Sequence, residues 1–143
     1  MRITLTFLAF LALLLSACKK DSIISQPAAI QKEVEYQVYT SRDYSATWMK
    51  DVNVNIKLQV GKVNLNSGAG TVLWDSTFSN LTLGQFSLLP YQISIKKSFP
   101  IIEEKEKLTV TYSLILGDPL RESRGYLEDL EKGINSVLVR LEL

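Results

Sequence analysis

Apolar and polar residues alternate along most of the chain after residue 32. In residues 52–60 Val, Ile and Leu alternate with Asn, Lys and Gln, and residues 108–116 repeat the pattern. Shorter runs with the same period lie at 34–38, 72–74, 91–95 and 137–143. Since neighbouring side chains of a strand point to opposite faces, this period predicts strands with one buried and one solvated face. Seven or eight such strands predict an all-β fold, an antiparallel β-sandwich.

The segments between these runs contain turn-forming residues. Residues 64–70, NLNSGAG, predict a hairpin loop, and Gly117-Asp118-Pro119 ends a later run. Pro90 and Pro100 flank the run at 91–95. Residues 120–132 fit either a strand over 124–130 or a helical turn. The strand is favoured because Gly125 weakens a helix and the neighbouring runs are all β.

The N-terminus has the layout of an export signal. Arg2 supplies a positive charge, Ile3 to Leu15 form an apolar run, and charged residues follow from Lys19 onward. A membrane-spanning helix needs about 20 apolar residues, which is more than this run contains. Residues 1–17 are therefore predicted to be a signal peptide that is removed on export.

The stretch Leu15-Ser16-Ala17-Cys18 resembles the lipobox of bacterial lipoproteins. The resemblance implies cleavage between Ala17 and Cys18 and lipidation of the Cys18 thiol, which would anchor the protein to a membrane. The alternative is an ordinary secretory signal followed by a chance cysteine. Cys18-Lys19-Lys20-Asp21 is similar to the start of many Bacteroidota lipoproteins. That similarity implies a place in the cell envelope at the outer membrane, on either its periplasmic face or its outer face.

Three segments follow from these observations. Residues 1–17 are the signal, and residues 18–31 are the lipidated cysteine with a tether, since they contain Ser, Gln and Pro27 without lasting periodicity. Residues 32–143 form the β-sandwich domain. In length and strand spacing this domain is similar to small Bacteroidota lipoproteins with immunoglobulin-like folds, a resemblance that implies an architecture and no ligand.

Charge and composition narrow the classes of function. Removal of the signal takes away Arg2 and leaves 15 basic and 15 acidic side chains, so no basic face is expected for nucleic acid. The chain has no histidine and only one cysteine, which excludes a Cys/His zinc site, and no D-x-D-x-D calcium loop occurs. The sequence predicts neither a metal site nor a cofactor.

Catalytic patterns are weak. Ser94-Ile95-Lys96-Lys97 matches the S-x-x-K pattern of penicillin-binding enzymes, but a strand would point Ser94 and Lys97 to opposite faces. Paired carboxylates, which a glycosidase needs, occur at Glu33/Glu35, Glu104/Glu106 and Asp129/Glu131. They fit solvated faces better, and Glu103 to Lys107 fits an exposed loop. The chain is therefore predicted not to be an enzyme, with a hydrolase as a minor alternative.

A binding role rests on residues 40–51, which connect the first two strands and contain Tyr44, Trp48 and Met49 among polar residues. Loops at the end of a sandwich are common recognition sites, and exposed aromatic side chains can contact a protein or a sugar ring. The alternative, expected for a lone tryptophan in a small domain, is that Trp48 and Met49 pack back onto the core. Four further aromatic residues are predicted to be core: Tyr36, Trp74, Tyr91 and Tyr112.

Three functional hypotheses remain. The favoured one is a non-catalytic envelope lipoprotein that binds a protein partner or a glycan, or that supports a surface complex. The second is a structural subunit that associates through an unpaired strand at a sheet edge. The third is a hydrolase that uses paired carboxylates.

Overall fold

The computed structural model describes residues 27–88 and 93–143. Several predictions fall outside these residues: the signal segment 1–17, Cys18, the tether up to residue 26, Pro90 and Tyr91. Seven strands and one short helix follow one another in the described part: β1 (Ile30–Tyr39), β2 (Asn53–Asn64), β3 (Gly70–Thr82), α1 (Leu83–Leu88), β4 (Ile93–Ile101), β5 (Glu106–Leu116), β6 (Glu122–Leu130) and β7 (Ser136–Glu142). The first strand thus begins two residues before the predicted start of the domain.

The strands form two sheets, with the order β4-β1-β7 in one and β3-β2-β5-β6 in the other. This arrangement confirms the predicted all-β sandwich. All pairings are antiparallel except that of β1 with β7, which is parallel. In an immunoglobulin constant domain the first two strands share one sheet, whereas β1 and β2 lie in different sheets here. The likeness to immunoglobulin domains is therefore one of architecture.

The core consists of the alternating apolar side chains that the sequence pattern identified. In β2 the four residues Val54, Ile56, Leu58 and Val60 are all fully buried, while the alternate residues Asn53, Asn55 and Lys57 are exposed. Inward side chains of β1, β5 and β7 meet them from both sheets. Burial of such a side chain stabilises the fold by about 1.5–3 kcal/mol, so this strand alone contributes much of the stability.

Tyr36 crosses the core from one sheet to the other. Its side chain is buried in β1, and its hydroxyl donates toward the carbonyl oxygens of Gln59 at 2.7 Å and Thr111 at 2.9 Å in the opposite sheet. One hydroxyl has one proton, so the two carbonyls share it. Burial raises the pKa of the Tyr36 hydroxyl to about 12, although the two hydrogen bonds act in the other direction. Tyr36 is a core residue, as predicted.

The remaining aromatic predictions hold in part. Trp74 is half-buried against the core, with its ring centroid 6.1 Å from that of Tyr36 and the Lys97 ammonium 5.9 Å from its centre. Tyr112 is also half-buried against the core, and it stacks on Tyr126 with a centroid distance of 5.3 Å. Residues 120–132 resolve to the favoured strand, since β6 covers Glu122–Leu130.

Val72 departs from the prediction that it shares the inward face with Trp74. Trp74 pairs with Val60 and Val72 pairs with Gly61, so Leu73 is an extra residue on β3 at this point. Such a β-bulge shifts the alternation by one residue. Val72 consequently lies on the outer face, 53% exposed, while Leu73 packs against the core.

The strands run between two ends of the sandwich, and loops at the same end lie near one another. We call the end at which β1 begins the N-terminal end; it also contains the loops 65–69, 102–105 and 131–135. The other end, which we call the Trp48 end, contains loop 40–52, helix α1 and loop 117–121. At about 3.3 Å per residue, the ten residues of β1 separate the two ends by about 30 Å.

Candidate functional site

Loop 40–52 at the Trp48 end is built from successive hydrogen-bonded turns. The Thr47 N–H donates to the Tyr44 carbonyl at 3.1 Å, the Lys50 N–H to the Thr47 carbonyl at 3.2 Å, and the Val52 N–H to the Met49 carbonyl at 3.0 Å. The Thr47 hydroxyl adds a bond to the Tyr44 carbonyl at 2.9 Å. The backbone of the loop is thus ordered by its own hydrogen bonds.

Contacts with the body of the sandwich hold this loop in place. The side chains of Tyr44 and Met49 pack against the core. The carbonyl of Lys50 accepts a hydrogen bond of 2.9 Å from the N–H of Gly84 in α1. A glycine suits this close approach, because a Cβ at residue 84 would lie only 3.0 Å from the Lys50 carbonyl oxygen and 3.1 Å from the Lys50 Cβ.

Trp48 lies between these anchored residues and points outward, with 70% of its surface exposed. The expectation that Trp48 and Met49 both fold back onto the core is therefore wrong for Trp48 and right for Met49. The reason lies in the turns: residues adjacent in an extended or turning backbone project in different directions, so burial of Met49 directs its neighbour to solvent. The three sequence-predicted binding residues share one loop, but only Trp48 is available to a partner through most of its surface.

A second cluster, at the N-terminal end, was missed in the sequence analysis. Lys32 is a buried residue of β1, only 1% exposed, and its ammonium lies 2.7 Å from a carboxylate oxygen of Glu103. It also donates to the carbonyls of Glu131 at 2.9 Å and Ile134 at 2.8 Å. These bonds connect β1 to the loop after β4 and to the loop after β6. The sequence does contain a signal of this burial. Lys32 lies two residues before Val34 and four before Tyr36, so it is on the same inward face of the strand.

Glu103 is held in the ionised form by this cluster. The hydrogen bond from Lys32 lowers the pKa of its carboxyl group, and the Gly133 N–H, which donates at 2.8 Å, acts in the same direction. With 13% of its side chain exposed, Glu103 is not the exposed loop residue that the alternating charges suggested. An adjoining cavity of about 230 Å³ is lined in part by Lys32, Leu65 and Glu103. Because each Lys32 donor has a partner, the cluster stabilises the fold and leaves no reactive group.

Four of the six carboxylates proposed as catalytic pairs are bonded to lysines. Glu33 is bonded to Lys96 at 2.7 Å, and Glu106 to Lys62 at 2.5 Å. The Lys62 partner lowers the pKa of Glu106. Further bonds join Glu35 to Gln37 and Ser94, Glu104 to Lys132, and Asp129 to Lys107 and Thr109. Such pairs are typical of solvated sheet faces.

Two further sequence predictions can be located. Ser94 bonds to Glu35 on the outer face of β4, whereas Lys97 of the same strand reaches Trp74, so the S-x-x-K residues do point to opposite faces. In residues 27–88 and 93–143 no three His, Cys, Asp or Glu side chains are grouped closely enough to hold a metal ion. The lipidation residue Cys18 and the cleavage residue Ala17 lie outside the described part of the chain.

No helix within the described ranges has the length and apolar character required to cross a bilayer. Comparison of the chain with protein-family models, with curated protein sequences and with solved structures gives no match. Functional inference therefore rests on the residues themselves.

Proposed function

We propose that this chain is a non-catalytic lipoprotein of the bacterial cell envelope, anchored at the outer membrane through Cys18, that binds a protein partner or a glycan through Trp48. The observation that carries the proposal is an indole that is 70% exposed on a loop fixed at both sides. Tryptophan is the residue most enriched among interface hot spots.

The order of the loop favours binding. A partner that contacts a mobile loop must offset the entropy lost when the loop is fixed, whereas loop 40–52 is already held by its turns and by α1. A hot-spot tryptophan contributes about 2 kcal/mol or more to a complex, which is about 30-fold in affinity. The indole face suits either an apolar pocket of a protein or the face of a sugar ring.

The position of the loop also suits an anchored protein. Trp48 lies at the end of the sandwich opposite Ile30, so an attachment on the N-terminal side leaves it about 30 Å away from the point at which the chain enters the domain. The ion-paired carboxylates and the absence of histidine support action by contact rather than by catalysis.

The test compares the full-length chain with Trp48→Ala and Leu65→Ala in the membranes of its own organism. Leu65 is the matched control, since it is 51% exposed and lies at the N-terminal end. Proteins and envelope glycans captured by the three forms are quantified. We expect Trp48→Ala to lose at least about tenfold of a component that the wild type and Leu65→Ala retain. Equal recovery from all three forms would show that recognition does not involve Trp48.

The anchor is tested separately. Cys18→Ser is expected to move the protein from the membrane fraction to the soluble fraction after a high-salt wash, since lipid chains add about 0.8 kcal/mol of membrane affinity per buried methylene. If Cys18→Ser stays with the membrane, attachment is not through lipid, and the proposed location fails while the role of Trp48 stands.

A further inference from the structure

Strand β6 forms one edge of the four-stranded sheet and is accessible on both faces. Its nine residues pair with β5 without a register shift. Residues 123–128 are all exposed, and the largest exposed fraction among the apolar ones is that of Leu127, at 68%. A regular edge strand offers unpaired N–H and C=O groups to a further strand.

The other three edges of the described sheets are less suited to pairing. β3 has two register shifts against β2, and Asn80 near its end has a φ of 63°. β4 contains Pro100, which cannot donate, together with the adjacent cations Lys96 and Lys97. β7 is shorter, with seven residues. Among these edges, β6 is the longest uninterrupted one without proline.

The charges on β6 are arranged so that the strand complements itself. On the face toward the other sheet the order is Glu122, Arg124, Tyr126, Glu128 and Leu130. When two copies of one strand pair antiparallel about a two-fold axis, residues equidistant from the axis lie opposite each other. An axis at Tyr126 places Arg124 of each copy opposite Glu128 of the other and overlaps all nine residues.

The alternative registers are unfavourable. An axis at Arg124 or at Glu128 places that charge opposite itself, and an axis at Gly125 places Glu122 opposite Glu128. An axis at Leu127 forms no ion pair within the strand, and an axis at Ser123 places Glu122 opposite Arg124 but overlaps only three residues of β6. Like charges directly opposite each other destabilise a strand pair, and opposite charges stabilise it. Charged residues on an edge strand normally prevent indiscriminate pairing, and here they select a single register.

We propose that a second copy of this chain pairs antiparallel with β6, with Tyr126 of both copies on the two-fold axis and with two reciprocal Arg124–Glu128 ion pairs. The pairing joins two four-stranded sheets into one continuous sheet. Arg124 donates from Nε to Glu122 of its own strand at 2.5 Å and from Nη1 to the Glu142 carbonyl at 3.3 Å, and the side chains of Arg124 and Glu122 are about half exposed. The guanidinium has further N–H groups, so it can bind Glu128 of the second copy as well.

The symmetry is compatible with two anchored copies. The two-fold axis is perpendicular to the joined sheet. Two equivalent copies on one membrane need this axis to be perpendicular to the membrane, so the joined sheet lies parallel to the surface. Both N-terminal ends are then at the same height above the membrane. The segment from Cys18 to Ile30 spans at most about 40 Å, which is enough for each copy to reach the membrane. Pairing itself does not depend on lipidation.

The test uses Tyr126→Cys in the full-length chain in its own membranes. In an antiparallel pair, directly opposite residues have Cβ atoms about 5 Å apart, so two thiols on the axis can be oxidised to a disulfide. After addition of a mild oxidant, a covalent dimer is expected on a non-reducing gel. Ser123→Cys, which lies off the axis and opposite Asp129, is the matched control, and the unmodified chain reports any contribution of Cys18. No dimer from Tyr126→Cys, or equal amounts from Ser123→Cys, would refute the proposal.

Charge exchange in the Tyr126→Cys background tests the register. Arg124→Glu and Glu128→Arg each turn two attractive pairs into two repulsive ones, and each is expected to weaken dimer formation at least about tenfold. The double exchange restores opposite charges and is expected to restore the dimer. Thermal unfolding checks that each variant is folded, and exchange of Glu33 and Lys96, an ion pair on β1 and β4, is the control swap. Failure of the double exchange to restore the dimer overturns the proposed register.

Discussion

The hydroxyl of Tyr36 is expected to contribute to stability at neutral pH and to lose this contribution at high pH. It supplies one proton to two carbonyl oxygens in the opposite sheet, those of Gln59 and Thr111. Tyr36→Phe removes this proton and keeps the ring. A hydrogen bond of this kind contributes about 1 kcal/mol, and the buried acceptors it leaves add to the loss. We therefore expect the free energy of unfolding to fall by about 1–1.5 kcal/mol at pH 7.

At high pH this contribution is lost. The pKa of Tyr36 is raised from 10.0 to about 12 in the folded protein, so between these values the unfolded chain releases its proton first. A raised pKa gives stability that is present below pH 10 and is lost as the pH rises toward 12. The free energy of unfolding can fall by at most about 1.4 kcal/mol per pH unit when one proton is involved. We expect a fall of about half this rate, because solvent screens part of the effect of burial. Wild type and Tyr36→Phe should then become equally stable near pH 11 to 12.

Urea unfolding of both proteins at several pH values between 7 and about 11.5 measures this difference. All other ionisable groups are the same in the two proteins, so their contributions largely cancel when the two free energies are subtracted. Tyr112→Phe, at a half-buried tyrosine, is the matched control. A Tyr36→Phe protein as stable as the wild type at pH 7, or a difference that stays constant up to pH 11.5, would refute the assigned role of the hydroxyl.

Two further substitutions test the two ends of the sandwich. Lys32→Met leaves Glu103 and two carbonyl oxygens without the buried ammonium, and we expect the free energy of unfolding in urea to fall by about 2–4 kcal/mol. Lys132→Met, at an exposed lysine, is the control and should lower it by less than about 0.5 kcal/mol. A neutral Lys32→Met would contradict the role given to this cluster. Gly84→Ala places a Cβ 3.0 Å from the Lys50 carbonyl oxygen, and we expect the free energy of unfolding, measured by thermal unfolding, to fall by about 1–3 kcal/mol. Gly70→Ala is the control, since a Cβ at residue 70 would meet no atom within 4 Å, and it should be close to neutral. Equal effects of the two substitutions would contradict the close approach at Gly84.

The sandwich could be predicted because alternation is a local property. In residues 54–60 of β2 and 137–141 of β7 every second side chain is apolar, and a strand with such a pattern buries one face wherever its partner lies. Strand order could not be predicted in this way. The parallel contact of β1 with β7 joins residues about 100 positions apart, such as Glu33 and Ser136, and no local pattern specifies it.

The candidate site was only partly predictable for a related reason. The sequence placed Tyr44, Trp48 and Met49 in one loop, but which of them is buried depends on turns whose geometry is fixed by contacts with α1. The bulge at Leu73 likewise changes the face of Val72, and the one glycine at this point, Gly61, lies on the partner strand β2. Lys32 shows a different case: it lies in phase with the inward residues Val34 and Tyr36, which is a sign of burial, but its partner Glu103 lies in a distant loop and no burial was predicted.

The recognition loop and the pairing edge are distinct parts of the molecule, and this makes the two proposals separable. Loop 40–52 is held by its own turns and by α1, whereas β6 is hydrogen-bonded to β5, so Trp48→Ala should leave pairing intact. In the two-fold dimer the two Trp48 loops lie at opposite ends of the joined sheet, at least about 30 Å apart. A partner with a single epitope then binds each loop independently. A repetitive partner that spans both loops gains affinity from the dimer without any new contact, because its second binding step becomes intramolecular.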